Sequence, residues 1–451
     1  AKVALVEKDK LGGDCLWYGC VPSKSLIRAA RAAYEVKHAS RFGVYADSPT
    51  LDFTKAAGHV RSAIAAIQPH DSPERFRGLG VEVIFGSGQF IDPHTFEVNG
   101  HPLKARNFVI STGSRPAVPP IPGLKEAGYL TNEQVFSLTE RPDSLALIGS
   151  GPIGCELGQA FHRLGARVTI FSSRDRILLK EDPEAAAVVE QQLEAEGILI
   201  LKNARADRVE LVDGKKCVWA GEEKITVDEI LVSAGRKPNV ETLNLEAAGV
   251  NYSEKGVRVN EALQTSNPRI YACGDVIGGY QFTHVAGYEA VVVLTNALFS
   301  PIKKWFPSKA DYRVIPWATF TSPELARVGL TEEQAKKRYG DNVHVLKQPF
   351  SGVDRAQAEA ATEGFAKLIV TEDGDILGAH LVGESAGELI HEIVLAMRHN
   401  LKVSSLTGIH VYPTLSEVNS KAALLLQKEK FAKNERLQGI LKGLFKFLRS
   451  R

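Results

Sequence analysis

The segment at residues 11–24, LGGDCLWYGCVPSK, contains two cysteines, Cys15 and Cys20, separated by four residues. Residues 21–38 carry apolar and small side chains at helical spacing, with a proline where a first helical turn tolerates one, so the pair is predicted to precede a helix. The partial positive charge of a helix N-terminus stabilises a thiolate and would make the pair redox-active. Two inert buried cysteines, or half of a metal site, are the alternatives; no second cysteine pair or nearby histidine completes a zinc site.

Three glycines, Gly149, Gly151 and Gly154, follow an apolar run at residues 145–148 that is typical of a buried strand. Between a strand and a helix, glycines at this spacing permit a tight turn and allow backbone N–H groups to reach a pyrophosphate. The spacing alone is weak evidence because glycines occupy many turns, but its position after a strand predicts a dinucleotide site.

The ribose of that nucleotide is expected to contact residues about 20 positions further along the chain. The stretch at 171–176 reads FSSRDR, and Ser172 stands where an acidic residue would bind the 2′-hydroxyl of NAD. Its two serines and two arginines, among them Ser172, Ser173 and Arg174, favour the 2′-phosphate of NADP. Asp175 leaves NAD open as the alternative, and arginines that are merely solvated are the simpler interpretation.

The elements that must position these residues alternate between β-branched runs and helical stretches, a pattern typical of parallel sheets covered by helices. The proline-rich stretch at 115–123 predicts a domain crossing, and β-hairpins mixed with helices are expected from residue 312 onward. The fold class is therefore α/β, in more than one domain. The predicted elements are strands at 3–7, 81–85, 107–111, 145–148, 168–171, 230–233, 367–370 and 377–382, and a long helix at 183–196.

The composition bounds the class of protein. The chain has 451 residues, 44% hydrophobic and 24% charged, which is enough for about three domains. Its 55 basic and 53 acidic residues give a net charge of +2, which excludes a nucleic-acid binder that works through bulk positive charge. Five cysteines exclude a secreted disulfide framework, and no apolar run approaches the ~20 residues that span a bilayer. We therefore expect a cytoplasmic protein.

The cysteine segment GGDC-x4-C-VPSK resembles the active site of the flavin-dependent pyridine nucleotide–disulfide oxidoreductases, the family of dihydrolipoamide dehydrogenase, glutathione reductase and mercuric reductase. Later motifs extend the resemblance over essentially the whole chain. It implies that the cofactors are FAD and NADP or NAD, that Cys15 exchanges with the substrate, and that Cys20 lies against the flavin as the charge-transfer thiolate. Lys24 would approach flavin N5 and pair with Glu156, which closely follows the three glycines.

The resemblance implies an α/β fold with two Rossmann-like dinucleotide-binding domains, for FAD and NAD(P), followed by a C-terminal α+β dimerisation domain. The expected boundaries are 1–142 for FAD, 143–262 for NAD(P), 263–310 for a second FAD segment, and 311–451 for a domain that forms a homodimer. The FAD site would comprise Glu7, Gly12, Gly13, Lys24, Thr112, Gly113, Ser114, Asp275, His284 and Ala286. The NAD(P) site would comprise Gly149, Gly151, Gly154, Ser172, Ser173, Arg174, Gly235 and Arg236.

Glu7 ends the first predicted strand and, by the resemblance, holds the adenosine ribose of FAD. The phosphate-binding glycine motif of that half is expected about 20 residues upstream of Glu7, at positions before residue 1. We therefore expect the chain to be a fragment of a longer flavoprotein.

Tyr412 and Glu417 match the family's histidine–glutamate acid–base dyad, which acts on the disulfide of the other subunit. A phenol with a pKa of about 10 is a poor base at neutral pH, and mercuric reductases resemble this chain in having tyrosine there. His410 would point elsewhere on an extended segment and is expected to be structural. The resemblance thus favours a mercuric reductase-like enzyme acting on a metal ion, quinone or small disulfide, although no cysteine follows Cys273 to relay a metal. A dihydrolipoamide dehydrogenase-type enzyme and a non-catalytic scaffold are the alternatives, and no resident metal is expected.

Residues 437–451 place apolar side chains at helical spacing, opposite Lys442, Lys446 and Arg449. A basic amphipathic helix of this kind lies on an anionic membrane surface or docks on a partner, and packing on its own dimer is the other interpretation. The expected partners are a second copy of the chain, a small-molecule or metal-ion acceptor and, through 437–451, a membrane surface, with no nucleic acid.

Overall fold

The computed structural model describes residues 2–45, 47, 49–299, 302 and 305–449. The chain divides into two compact units, the first formed by residues 1–175 and 198–311 and the second by 176–197 and 312–451. Both units combine helices with β-sheets, and the expected α/β fold class is confirmed. None of the described helices is long and apolar enough to cross a membrane.

A parallel sheet of four strands forms the part of the first unit that carries the three glycines. Its central strand, Ser144–Ile148, is buried along its whole length, as expected of a parallel strand covered on both faces. Helix Pro152–Arg163 packs on the Leu147 side, where Gly158 leaves room for the close approach. Ala146 and Ile148 point to the other face and join the apolar cluster of an antiparallel sheet. The strand order is Leu199–Leu201, Arg167–Phe171, Ser144–Ile148, Glu229–Val232.

Two further parallel strand pairs lie in the first unit. The expected strands at 3–7 and 81–85 are confirmed, and Val3–Glu7 pairs with Val81–Phe85. The strand expected at 107–111 is shorter, Phe108–Ile110, and pairs with Ile270–Ala272. Because the two strands of each pair are parallel, their final residues and the turns that follow lie at the same edge of the pair.

The cysteine helix, Cys20–Lys37, connects the redox segment to the rest of the first unit. Its buried residues include Leu26, Ala30 and Ala33, at the spacing of one helical face. The two alanines allow close packing against helices Phe53–Ile67 and Pro152–Arg163. This packing brings the cysteine segment next to the helix that follows the glycine motif.

The second unit is built on an antiparallel sheet of five strands. Helices Ala386–Arg398 and Glu417–Lys433 contribute to its apolar core. Helix Pro183–Glu196, which the sequence places in the nucleotide half, contacts this sheet. The Nζ of Lys367, only 2% exposed, lies 3.1 Å from Asp182 just before that helix, so a buried ion pair holds it there. The strand order is Pro316–Thr319, Glu324–Gly329, Ile376–Gly383, Phe365–Val370, His344–Pro349.

The remaining elements include two that reach the site, Gly13–Trp17 and Thr283–Leu298. The other strands are Gly88–Asp92, Thr95–Val98, His101–Lys104, Ser114–Pro116, Arg208–Val212, Lys215–Ala220, Glu223–Val227, Arg236–Pro238, Tyr252–Ser253 and Gly256–Val257. The other α-helices are Gly13–Trp17, Pro73–Gly78, Leu124–Ala127, Asn132–Val135, Thr283–Leu298, Glu332–Tyr339, Asp354–Ala358 and Glu435–Arg449. Single 3-10 turns occur at Ala39–Phe42, Gln68–Asp71, Gly274–Ile277, Phe350–Gly352 and Val403–Thr407.

Candidate redox-active site

The two cysteines occupy helical positions, which differs from the prediction that both precede a helix. Cys15 lies in the short helix Gly13–Trp17, and Cys20 is the first residue of the cysteine helix. The reason is Gly19 between them, whose missing side chain leaves room for the Asp14 carbonyl, 3.0 Å from where a Cβ would stand. The chain can therefore reverse between the two helices, with Cys15 half-buried, Cys20 exposed and no disulfide between them.

The surroundings of the two cysteines shift their pKa values in opposite directions. A hydrogen bond from Cys15 and a weaker one from Thr283, whose Oγ1 lies 3.4 Å from Sγ, lower the pKa of Cys20 from 9.0 to about 6, with help from the charge of Lys24. The same hydrogen bond to Cys20, together with burial, raises the pKa of Cys15 far above its ordinary value. At neutral pH the reduced pair thus holds a thiolate at Cys20 and a proton at Cys15.

A pH titration of the reduced protein should reveal this division. We expect alkylation at Cys20, followed by mass spectrometry, to rise with pH with a midpoint of about 6, since the thiolate predominates above its pKa. Thr283→Val removes a hydrogen bond to the thiolate and should shift the midpoint upward. Thr295→Val, on the same helix but bonded to the Val291 carbonyl, should leave it unchanged. A midpoint at the ordinary 9.0 in the unaltered protein would contradict this assignment.

Lys24 lies one turn after Cys20 and forms the ion pair that the resemblance implied. Its Nζ is 2.9 Å from Oε2 of Glu156 on helix Pro152–Arg163. The Glu156 side chain is only 7% exposed, and a buried carboxylate needs such a partner. The pair therefore fixes the ammonium group beside the cysteines and ties together the two helices that pack there.

A polar network joins the turns expected at the FAD site. Ser114 donates from Oγ to Asp275 at 2.5 Å, and Arg236 donates from Nε to the same Ser114 oxygen at 2.7 Å. Arg236 also lies 3.2 Å from Oδ2 of Asp14, the residue before Cys15. The guanidinium of Arg236 thus lies among the FAD candidates. The expected role of Arg236 at the NAD(P) site stays a prediction. Sequence reasoning missed Asp14, although its place between the glycines and Cys15 was a signal.

The other FAD candidates lie on turns and helix ends. Thr112 donates from Oγ1 to the Asn239 carbonyl at 2.8 Å, which links the two glycine turns. Gly13 and Gly113 have φ values of +57° and +67°, and no atom lies within 4 Å of where their Cβ would stand. A planar cofactor can therefore approach the backbone at both positions, so the residues fit FAD. The remaining positions are Gly12 with φ +96°, and His284 and Ala286 in the first turn of Thr283–Leu298.

Glu7 lies at the end of its strand, as expected. Its Oε1 accepts a hydrogen bond from the Asp9 backbone at 2.8 Å, and its carbonyl accepts one from Gly86 at 2.8 Å. These bonds hold the turn after the strand in place. Neither of these two hydrogen bonds joins Glu7 to another residue of the expected FAD site.

The three glycines of the nucleotide motif each have a different physical role. At Gly149 a Cβ would stand 2.5 Å from the Ser233 carbonyl, and at Gly154 it would stand 2.1 Å from the Gly149 carbonyl. Gly149 and Gly154 therefore allow the tight turn and the close packing of helix on strand. Gly151 has open space in front of it and precedes the helix at Pro152. Backbone N–H groups at this helix N-terminus are thus accessible to a pyrophosphate.

The residues after strand Arg167–Phe171 only partly suit the predicted 2′-phosphate contact. Ser172 is 0% exposed, accepts a hydrogen bond from Ser150 at 2.9 Å and donates to the Arg174 carbonyl at 3.1 Å. The hydroxyl of Ser172 therefore shapes the turn, and its contact with the nucleotide stays a prediction. Ser173 and Arg174 are exposed and remain candidates. Gly235, with φ +132°, has its carbonyl bonded to Ala117.

The second arginine of this stretch, Arg176, belongs to the second unit. Its guanidinium donates to the carbonyls of Leu178, Leu179 and Glu181 at 2.9–3.4 Å. Arg176 thus closes a loop within its own unit, and Arg174 is the arginine available to a phosphate.

In the second unit, the segment around Tyr412 presents a phenol instead of an imidazole. Tyr412 is 67% exposed and donates to Oδ2 of Asp354 at 2.9 Å. This hydrogen bond to a carboxylate raises the pKa of Tyr412 above its ordinary value. Glu417, by contrast, has a buried Oε2 without a hydrogen-bond partner in the described residues. Because its pKa is raised, Tyr412 is even less able than an ordinary tyrosine to act as a base at neutral pH.

His410 has both ring nitrogens engaged, which agrees with the expected structural role. Its ring lies 2.8 Å from the Gly408 carbonyl and 2.9 Å from Glu392, which also accepts a bond from Asn419. Burial lowers the pKa of His410, but the Gly408 carbonyl and the charges of Glu392 and Glu417 outweigh it and leave that pKa raised. Within the described ranges, no group of three or more histidine, cysteine or carboxylate side chains is arranged to hold a metal ion.

Comparison with known proteins identifies the same family in most of the chain. Residues 1–290 match the pyridine nucleotide-disulphide oxidoreductase family, and residues 315–423 match its dimerisation domain. A mercuric reductase from Staphylococcus aureus is 39% identical over 437 residues, covering 95% of this chain and 79% of that protein. A dihydrolipoyl dehydrogenase from Geobacillus stearothermophilus is 36% identical over 434 residues, covering 94% of this chain and 90% of that protein.

A solved structure points the same way. The Cu(II) complex of RclA, the HOCl-induced flavoprotein disulfide reductase from Escherichia coli, aligns with a TM-score of 0.83 and 28% identity over 93% of both chains. The dimerisation domain indicates a homodimer. The redox cysteines, the lysine–glutamate pair and these matches agree that the chain belongs to the pyridine nucleotide-disulphide oxidoreductases, which use FAD and NAD(P)H.

Proposed function

We propose that this oxidoreductase takes electrons from NADPH and delivers them to a metal ion, as a mercuric reductase-like enzyme. The observation that carries the proposal is the state of Tyr412, whose phenol donates to Asp354 and has a raised pKa. A dithiol substrate needs a group that takes and returns a proton near neutral pH, and this phenol is a poor choice. The mercuric reductase from S. aureus and the Cu(II) complex of RclA support a metal acceptor.

The proposed roles of the residues are those that the family resemblance implies. Cys15 would meet the acceptor, Cys20 would lie against the bound flavin, and Lys24, paired with Glu156, would lie beside both groups. Bound FAD supplies the two-electron chemistry between NADPH and the disulfide. Asp275 and Ser114, braced by Arg236, would hold the flavin nucleotide. The turn of the three glycines would hold the pyrophosphate of NADPH.

The proposed reaction balances on the two cysteines. NADPH and the Cys15–Cys20 disulfide give NADP⁺, a thiol at Cys15 and a thiolate at Cys20, because the raised and lowered pKa values place the one proton on Cys15. A divalent metal ion such as Hg²⁺ then takes two electrons and becomes Hg⁰, while the disulfide forms again and one proton leaves.

We also propose that the enzyme is cytoplasmic. Its reaction needs a disulfide that is repeatedly reduced, and such transient catalytic disulfides are the kind found in reducing compartments. The remaining cysteines, Cys155, Cys217 and Cys273, are buried and form no disulfide within the described residues, in keeping with inert packing.

A panel of electron acceptors tests the proposed function. The FAD-loaded protein, reduced anaerobically with NADPH, is offered Hg²⁺, Cu²⁺, a quinone, lipoamide and glutathione disulfide. We expect kcat/KM for a metal ion to exceed that for the others by at least about tenfold, a difference in transition-state stabilisation of about 1.4 kcal/mol. Turnover of lipoamide with metal ions acting only as inhibitors would contradict the proposal and favour a dihydrolipoamide dehydrogenase-type enzyme.

The preference for NADPH should depend on Arg174. We expect Arg174→Ala to lower kcat/KM for NADPH by about 10–100-fold, the effect of losing a hydrogen bond to a charged group, and to change that for NADH little. Arg167→Ala is the matched control, because Arg167 is an exposed arginine at the opposite end of the same strand. Equal losses with both nucleotides would show that Arg174 does not read the 2′-phosphate.

A further inference from the structure

The C-terminal helix, Glu435–Arg449, has an apolar face that is exposed to solvent. None of its described residues is buried, and the exposed fractions of Leu444, Phe445 and Leu448 are 48%, 55% and 56%. At 100° per residue, the apolar side chains fall within an arc of about 160°. They are Leu437, Ile440, Leu441, Leu444, Phe445, Phe447 and Leu448.

This helix is separate from the elements that build the dimerisation domain. The family match to that domain ends at residue 423, and the preceding helix ends at Lys433. Asn434 then caps the new helix, with Oδ1 accepting from the Leu437 backbone at 2.9 Å. The C-terminal helix is thus a distinct element with its own start, beyond the segment that carries Tyr412 and Glu417.

The charge of the C-terminal segment differs from that of the rest of the chain. Residues 428–451 contain eight basic and two acidic residues, a net charge of +6, whereas the whole chain carries +2. The remaining residues therefore carry a net charge of −4. Lys442, Lys446 and Arg449 lie together on the polar side of the helix and are exposed. A negatively charged surface attracts the basic C-terminal segment and repels the rest of the chain, so it would orient the protein with this segment towards the surface.

The small residues of the helix lie away from its apolar arc. Gly439 and Gly443 fall on the polar side at 100° per residue, and nothing lies within 4 Å of where their Cβ would stand. The apolar arc carries only leucine, isoleucine and phenylalanine side chains, and leucine and phenylalanine are typical of the apolar face of a helix that lies in a membrane interface. Interior glycines also weaken an isolated helix, so a surface that covers the apolar face would stabilise it.

We propose that the C-terminal helix binds the surface of an anionic lipid bilayer and holds the enzyme there as a peripheral protein. The helix would lie in the plane of the interface, with its leucine and phenylalanine side chains among the acyl chains. Lys442, Lys446 and Arg449 would face the phosphate groups of the lipids. This role is independent of the acceptor that the redox site reduces.

Vesicle flotation of the FAD-loaded, full-length protein tests the proposal. We expect binding to phosphatidylcholine vesicles that contain phosphatidylglycerol, little binding to phosphatidylcholine alone, and release by salt. The double variant Lys442→Gln, Lys446→Gln should bind about 30-fold more weakly. Leu444→Ser with Leu448→Ser should lose at least about 100-fold, because two buried leucines are removed from the interface. The control Lys125→Gln, Lys255→Gln removes the same charge from exposed positions elsewhere and should bind normally.

Enzyme turnover and the oligomeric state are measured on the same variants. Turnover of NADPH with a soluble acceptor should be unchanged in all these variants, which shows that they fold. Absence of binding to the phosphatidylglycerol vesicles, or equal binding of the lysine variant and its control, would overturn the proposal. Conversion of the dimer to a monomer by Leu444→Ser with Leu448→Ser, without vesicles, would overturn it as well, since a second copy of the chain would then cover the face.

Discussion

Replacing either redox cysteine by serine should lower acceptor reduction by at least about 10³-fold, the scale of loss when a covalent participant is removed. A serine hydroxyl cannot form the disulfide that carries the two electrons. No other cysteine can substitute, because Cys155, Cys217 and Cys273 are buried. Steady-state turnover with NADPH and the best acceptor measures the effect. Cys217→Ser is the matched control and should retain activity.

The two cysteine variants should differ in their spectra. Cys20 is the sulfur whose pKa is lowered, so Cys15→Ser should keep a thiolate beside the flavin and a long-wavelength absorbance band on reduction at pH 8 or so. Cys20→Ser should lack that band at every pH. If Cys20→Ser retained the band, the thiolate would reside elsewhere and the assignment of the two sulfurs would be wrong.

Breaking the Lys24–Glu156 pair should slow reduction by NADPH by about 10²-fold, the lower range for a positioned charged group. Lys24→Met removes the ammonium group beside the cysteines and with it the ion pair to Glu156, whose side chain is 7% exposed. It should also raise the pKa of Cys20, which the charge of Lys24 helps to lower. Stopped-flow reduction and the pH titration of Cys20 measure the two effects.

A double variant separates stability from function. Because Lys24 is 38% exposed, Lys24→Met should lower the free energy of unfolding by only about 1–2 kcal/mol. Lys24→Met with Glu156→Met should restore part of that stability without restoring the rate. Lys37→Met makes the same chemical change at an exposed end of the same helix and should affect neither. A double variant that regained full activity would show that the pair is only structural.

The sequence predicted which elements carry the site better than it predicted what each side chain contacts. The long helix expected at 183–196 is present as Pro183–Glu196, and the resemblance implied the Lys24–Glu156 pair found at 2.9 Å. Hydrophobic periodicity and glycine spacing depend on the conformation of the backbone. Few backbone conformations are possible where a strand turns into a helix. The position of the first strands and of the glycine turn was therefore accessible to prediction.

Side chains in the turns were harder to predict because each has several partners within reach. Ser172 stands at the expected strand end, yet its hydroxyl is satisfied internally and it is fully buried. Arg236 follows a glycine of the nucleotide half but reaches Asp14 and Asp275. The contacts of Arg236 with Asp14 and Ser114 join residues that are more than 100 positions apart in the chain, and a local pattern contains no information about them.

We propose that electrons from NADPH reach the Cys15–Cys20 pair through the flavin. Anaerobic titration of the FAD-loaded, oxidised protein with NADPH, followed by alkylation under denaturing conditions and mass spectrometry, tests it most directly. We expect both Cys15 and Cys20 to become labelled only after NADPH is added, in parallel, while labelling of the three buried cysteines does not change with NADPH. If NADPH reduced the flavin while Cys15 and Cys20 stayed unlabelled, the electrons would bypass the pair, which would contradict the proposed path.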